Sequence, residues 1–104
     1  MSGKEQVLLF VVLAWAMIGG LLDAYTTQLG FSVGLVEGNP VARYLIKKFG
    51  IALATFLPLS AFLVSTMALS VVSSPAAIAY ATVIGIVETI MPIRNYTLYK
   101  KFKK

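Results

Sequence analysis

Residues 51–72, IALATFLPLSAFLVSTMALSVV, decide the fold. They contain no charged side chain, and a helix of that length runs about 33 Å, enough to cross a hydrocarbon core of about 30 Å. The stretch predicts a transmembrane helix. Pro58 inside it removes one backbone hydrogen bond, frees the carbonyl of Ala54 and predicts a kink.

Working outward, Ser73, Ser74 and Pro75 read as a tight turn, with Pro75 suited to open the next helix. That helix, expected over about 76–94, carries Glu88 and Pro92 and ends at Arg94 before a basic, aromatic tail over 95–104. On the other side, Gly50 offers a bend. Before it, Asn39 followed by Pro40 is a helix start, because Asn caps free N–H groups and Pro fits the first turn. The short helix over about 40–49 sets Val41, Tyr44, Leu45 and Phe49 on one face. Arg43, Lys47 and Lys48 lie on another, the pattern of an amphipathic helix lying at a membrane interface. A further span is expected over about 6–28, too long and too polar at its end for a signal peptide.

Together these readings predict an all-α fold, an integral membrane bundle of three transmembrane helices plus one interfacial helix, forming one domain over residues 1–104. Composition agrees. The chain is 59% hydrophobic and 12% charged, against about 25% charged in soluble domains. It has no Cys and no His, which excludes thiol chemistry, disulfides, imidazole ligation and the usual zinc sites.

Counting Lys and Arg sets the expected orientation. Arg43, Lys47, Lys48, Arg94, Lys100, Lys101, Lys103 and Lys104 share one side, and Lys4 stands on the other. The positive-inside rule then puts the C-terminus in the cytoplasm and the N-terminus outside a plasma membrane. The net charge of +5 is read as attraction to anionic lipid headgroups, not to nucleic acid. The Asn95–Tyr96–Thr97 sequon would face the cytoplasm and carries no glycan expectation. Trp15, Tyr80, Tyr96 and Tyr99 are read as packing against lipid or at its interface.

The polar chemistry gathers in residues 23–40, DAYTTQLGFSVGLVEGNP. The first and third spans run in the same direction, so Asp23 and Glu88 fall at comparable depth. Ala16, Gly20, Asp23 and Thr27 share their spacing with Ala81, Gly85, Glu88 and Pro92, and such strips of small residues favour close helix packing. Because a carboxylate inside a span costs about 2.5 to 3.5 kcal/mol, the acids should be paired, hydrated, protonated or bound to a cation. The residues expected to converge are Asp23, Thr27, Glu37, Asn39 and Glu88 as ligand or ion-binding candidates, with Tyr25, Arg43 and Arg94 as supporting or charge-pairing groups. If a metal binds, Asp23, Glu37 and Glu88 are its expected ligands, and an all-oxygen set suits Na⁺, Mg²⁺ or Ca²⁺.

The pattern Asp23-x3-Thr27, then Gly34-x2-Glu37-x-Asn39-Pro40, a short helix, Gly50 and another apolar span resembles a family of small prokaryotic three-span membrane proteins of unknown function. The resemblance implies a shared site at Asp23, Thr27, Glu37, Asn39 and Pro40 and supplies no reaction. That family often carries a Lys in the second span, where this chain has none.

Three functions stand open at this point. The first is cation or proton binding or transport by a homo-oligomer. The second is an accessory or scaffold subunit whose polar cluster fixes packing. The third is an inner-leaflet lipid-modifying enzyme, disfavoured because no nucleophile–base pair is recognisable and no catalytic residue is nominated.

Overall fold

The computed structural model describes residues 2–35 and 40–103. Among them the chain forms four helices and no strand: α1 (Gly3–Ser32), α2 (Pro40–Phe49), α3 (Ile51–Val72) and α4 (Ser74–Phe102). α1, α3 and α4 are each long and apolar enough to cross a membrane. The all-α bundle with three membrane-length helices and one short helix is as expected.

Local chemistry sets the helix ends. The Ser2 hydroxyl accepts from the Glu5 backbone N–H while the Glu5 carboxylate accepts from the Ser2 N–H, a reciprocal capping box that starts α1 ahead of the expected Gln6. At its other end α1 continues through Gly30 to Ser32 and stops at Gly34, whose φ of 89° is open to glycine at no steric cost. Leu35 then folds back, its N–H donating to the Gly30 carbonyl and its side chain resting against Gly30. α4 starts on a Ser73 cap, with Pro in its first turn. It runs through Arg94 to Phe102, so most of the expected tail is helix. Asn95, Leu98 and Tyr99 are half-buried at i, i+3 and i+4, which extends the packed face of α4 past the predicted end.

α1 packs chiefly against α4, and α3 covers the pair. The α1 and α4 axes run parallel, because Trp15 meets Gly85, Gly19 meets Glu88 and Asp23 meets Asn95 in ascending order. The small-residue strips are the seam: Ala16 and Ala81 are fully buried, and Gly20, Gly85 and Pro92 are buried beside them. A methyl group at Gly19 would lie 2.8 Å from the Glu88 Cβ and 2.8 Å from the Glu88 carbonyl oxygen. That carbonyl is the one Pro92 deprives of its helical donor, so the Gly19 backbone edge packs where the α4 ladder is broken. These strips are consumed inside one chain and are not surfaces left for a second copy.

α3 runs antiparallel to both partners. Phe62 joins Ala16 and Ala81 in the core, and its ring lies 5.6 Å from that of Tyr80. Tyr80 also shares a hydrogen bond of 3.1 Å with Ser65. The Trp15 ring lies directly over Gly85. Two aromatics expected to meet lipid therefore contribute to helix packing as well. Elsewhere the outward faces are as apolar as the core: Phe10 is 71% exposed, Val64 68% and Val71 87%. Such surfaces are stable facing hydrocarbon and not water.

α2 docks on α3 through Ala42, Leu45 and Ile46, which are half-buried, whereas Val41, Tyr44 and Phe49 are exposed. The expected apolar face is thus divided, with Leu45 turned toward the bundle and the rest left outward. Lys48 Nζ donates to the Tyr44 hydroxyl at 3.0 Å and lies over the Tyr44 and Phe49 rings. Its charge is carried to the edge of that outward strip, as long basic side chains do at an apolar boundary.

Candidate functional site

One cleft of about 210 Å³ gathers the polar groups of the bundle. α1 supplies Gly20, Asp23 and Thr27, α3 supplies Thr55, Pro58 and Leu59, α4 supplies Glu88, and Ala42 and Ile46 of α2 close one end. The parallel α1–α4 seam creates this arrangement. Asp23 follows Gly20 by one turn, Glu88 follows Gly85 by one turn, and close approach of the two glycine-bearing faces brings the carboxyls together. The side chains of Asp23 and Glu88 lie within hydrogen-bonding reach of each other. Two carboxylate oxygens in such contact repel unless a proton or a cation sits between them.

Asp23 is held in place by α4. Asn95 Nδ2 donates to Asp23 Oδ1 at 2.7 Å and lies within 3.2 Å of Thr26 Oγ1 and 3.3 Å of Thr27 Oγ1. The two threonines are oriented in turn by their own helix: Thr26 Oγ1 donates to the Leu22 carbonyl at 2.9 Å and Thr27 Oγ1 to the Asp23 carbonyl at 2.7 Å. Their lone pairs are left to face the Asn95 amide. A carboxylate, an amide and two hydroxyls form one connected group across the seam, the arrangement that lets polar side chains sit stably between membrane helices.

Asn95 was not among the residues expected from sequence. Its signal was present, because 81, 85, 88, 92 and 95 continue one helical strip at steps of four and three residues. The span was expected to end at Arg94, which placed Asn95 in a tail.

The other expected site residues divide clearly. Asp23, Thr27 and Glu88 line the cleft. Tyr25 is 59% exposed, Arg43 and Arg94 are exposed, and none of the three contributes to its lining. An exposed end on α2 or α4 lets an arginine keep its hydration, which competes with any reach inward. Glu37 and Asn39 lie outside the described residues, and Pro40 begins α2.

Two carboxyls and the hydroxyls of Thr27 and Thr55 are hard oxygen ligands of the kind Na⁺, Mg²⁺ or Ca²⁺ takes. Among the described residues no group of three acids, cysteines or histidines comes together. Pro58 lacks the N–H that would engage the Ala54 carbonyl, and both residues line the same cleft.

No protein-family model, curated protein or solved structure matches the chain.

Proposed function

We propose that this chain is a small ion-handling protein of the plasma membrane whose Asp23–Glu88 cleft binds a cation or a proton in the course of transport. The observation that carries the reading is the meeting of two carboxyls on one oxygen-lined cleft between membrane-length helices. A pair of acids is a poor choice for locking a bundle, because it repels itself in a low dielectric, and a good one for holding a mobile positive charge. The orientation proposed is N-terminus outside, with the cleft toward the cytoplasmic leaflet and the lysines of α2 and of the C-terminal end of α4 near anionic headgroups. Several copies act together, because a bundle measuring 51 × 27 × 16 Å is too slim to enclose a path alone. Such a chain belongs with the small three-span proteins that its D-x3-T and G-x2-E-x-N-P pattern resembles.

The test is thermal unfolding of the detergent-purified protein in Na⁺, K⁺, Mg²⁺ or Ca²⁺, paired with carbodiimide modification of Glu88. A cation that binds raises the unfolding temperature selectively, and Asp23→Asn abolishes the rise. A bound proton shows instead as modification of the Glu88 carboxyl, absent in Glu88→Gln. Neither effect with any ion overturns the proposal and favours a second reading, supported by the Asn95–Asp23 hydrogen bond, in which the cluster only fixes helix packing.

A further inference from the structure

A second hollow, of about 440 Å³, lies between α3 and α4 over Ala16 of α1. Its mouth is on the outward face of the bundle, where Ala61 and Ser65, one turn apart on α3, are small and exposed. That face meets hydrocarbon, so the hollow opens sideways to the interior of the bilayer. Ala16, Phe62 and Ile84 make its walls mostly apolar. At one end Ser65 and Tyr80 satisfy each other through a hydrogen bond of 3.1 Å, and the Tyr80 ring lies 5.6 Å from that of Phe62. At the other end stands Glu88, which also borders the acidic cleft.

Hydrocarbon of any kind suits these walls, and the carboxyl end is what discriminates. Asp23 lies within hydrogen-bonding reach of Glu88, and no lysine or arginine among the described residues lines either space. Two acids so placed favour a positive charge beside them, the more so in a low dielectric. A phospholipid tail brings no charge to that end, and an inorganic ion leaves the apolar walls unused. A molecule that is apolar along its length and cationic at one end answers both. Tyr80 and Glu88 are two helical turns apart on α4, about 12 Å along the axis, and the paired rings at the far end suit an aryl group. An apolar hollow of this volume with few polar groups is the usual form of a small-molecule site, which spans about 300 to 1,000 Å³.

We propose that the α3–α4 hollow binds the apolar body of a lipophilic organic cation, an ammonium or phosphonium about 12 Å long, which enters sideways from the bilayer and sets its charge at Glu88. The proposal rests on the ion-handling reading above and names the class of cation.

The test is binding of phenylbutyl trimethylammonium to the full chain in detergent micelles, read by equilibrium dialysis as the excess over protein-free micelles. Beside it runs the uncharged isostere in which carbon replaces the nitrogen. The cation is expected to bind at least tenfold more weakly to Glu88→Gln, and at least fivefold more weakly to Ala61→Phe, which fills the mouth. Ala61 does not line the acidic cleft, so Ala61→Phe is expected to leave any rise in unfolding temperature with inorganic cations unchanged. The isostere is expected to be indifferent to Glu88→Gln. Equal excess binding of cation and isostere overturns the proposal, because the hollow then takes any hydrocarbon, a lipid tail included. Loss of binding in Glu88→Gln with indifference to Ala61→Phe also overturns it, because the cation then sits in the acidic cleft alone. No binding of the organic cation, with the inorganic-cation or carbodiimide effect intact, overturns this inference and leaves the ion-handling reading standing; absence of all three effects removes both.

Discussion

Asn95→Ala removes the amide that crosses from α4 to the Asp23 carboxyl. The 2.7 Å distance from Nδ2 to Oδ1 is that of a charge-assisted bond, worth about 1.5 to 3 kcal/mol. The second N–H of the amide is shared among Thr26, Thr27 and the Asp23 carbonyl at 3.2 to 3.5 Å, adding about 0.6 kcal/mol by the standard of polar contacts between membrane helices. The threonine hydroxyls keep their main-chain acceptors, so no donor on them is orphaned. The expected loss is about 2 to 3.6 kcal/mol. A cycle of Asn95→Ala, Asp23→Ala and the double variant isolates the pair, with a coupling of about 1.5 to 3 kcal/mol expected. Reversible unfolding in mixed micelles at rising dodecyl sulfate supplies the free energies. Trp15, the single tryptophan, reports directly because its ring lies on the α1–α4 seam. A coupling under about 1 kcal/mol refutes the reasoning, since exposed pairs give about 0.2 to 1 kcal/mol.

Gly19→Ala is expected to cost about 1 to 3 kcal/mol in the same unfolding assay. Both groups it meets, the Glu88 Cβ and carbonyl oxygen, belong to the α4 backbone region and cannot swing away, whereas Gly3→Ala, which meets nothing within 4 Å, should be neutral or stabilising. Arg43→Ala and Arg94→Ala should each change stability by less than about 0.5 kcal/mol, as expected of exposed side chains away from any packed network. A large loss in either would mean that an arginine reaches the acids after all.

The legibility of the fold varied with how sharply polar residues mark the edges of each span. α3 was readable to its ends because Gly50 and Ser73 bound a charge-free run, and α2 because Asn39 and Pro40 announce a start. α1 and α4 extend past their predicted limits because hydrophobicity measures the width of a membrane, while a helix stops only where its backbone bonding or packing stops. The contact between Asp23 and Glu88 was legible from matched small-residue spacing on two parallel spans. Asn95 was not, because its role depends on α4 remaining helical beyond Arg94. The packing roles that Trp15 and Tyr80 add were not legible for a related reason: residue type alone does not show that a ring also fills the space above a glycine or bonds across to Ser65.

The principal interface joins α1 to α4, and its key hydrogen bond links residues 72 positions apart. At about 5 to 20 residues per second of synthesis, roughly 4 to 14 s separate the appearance of Asp23 from that of Asn95. During that interval α1 has α2 and α3 as neighbours, and neither supplies the Asn95 amide. The helix carrying the acid must therefore wait for its partner in the membrane or beside the insertion machinery, and the rate at which α4 arrives sets when the acidic cleft comes into being.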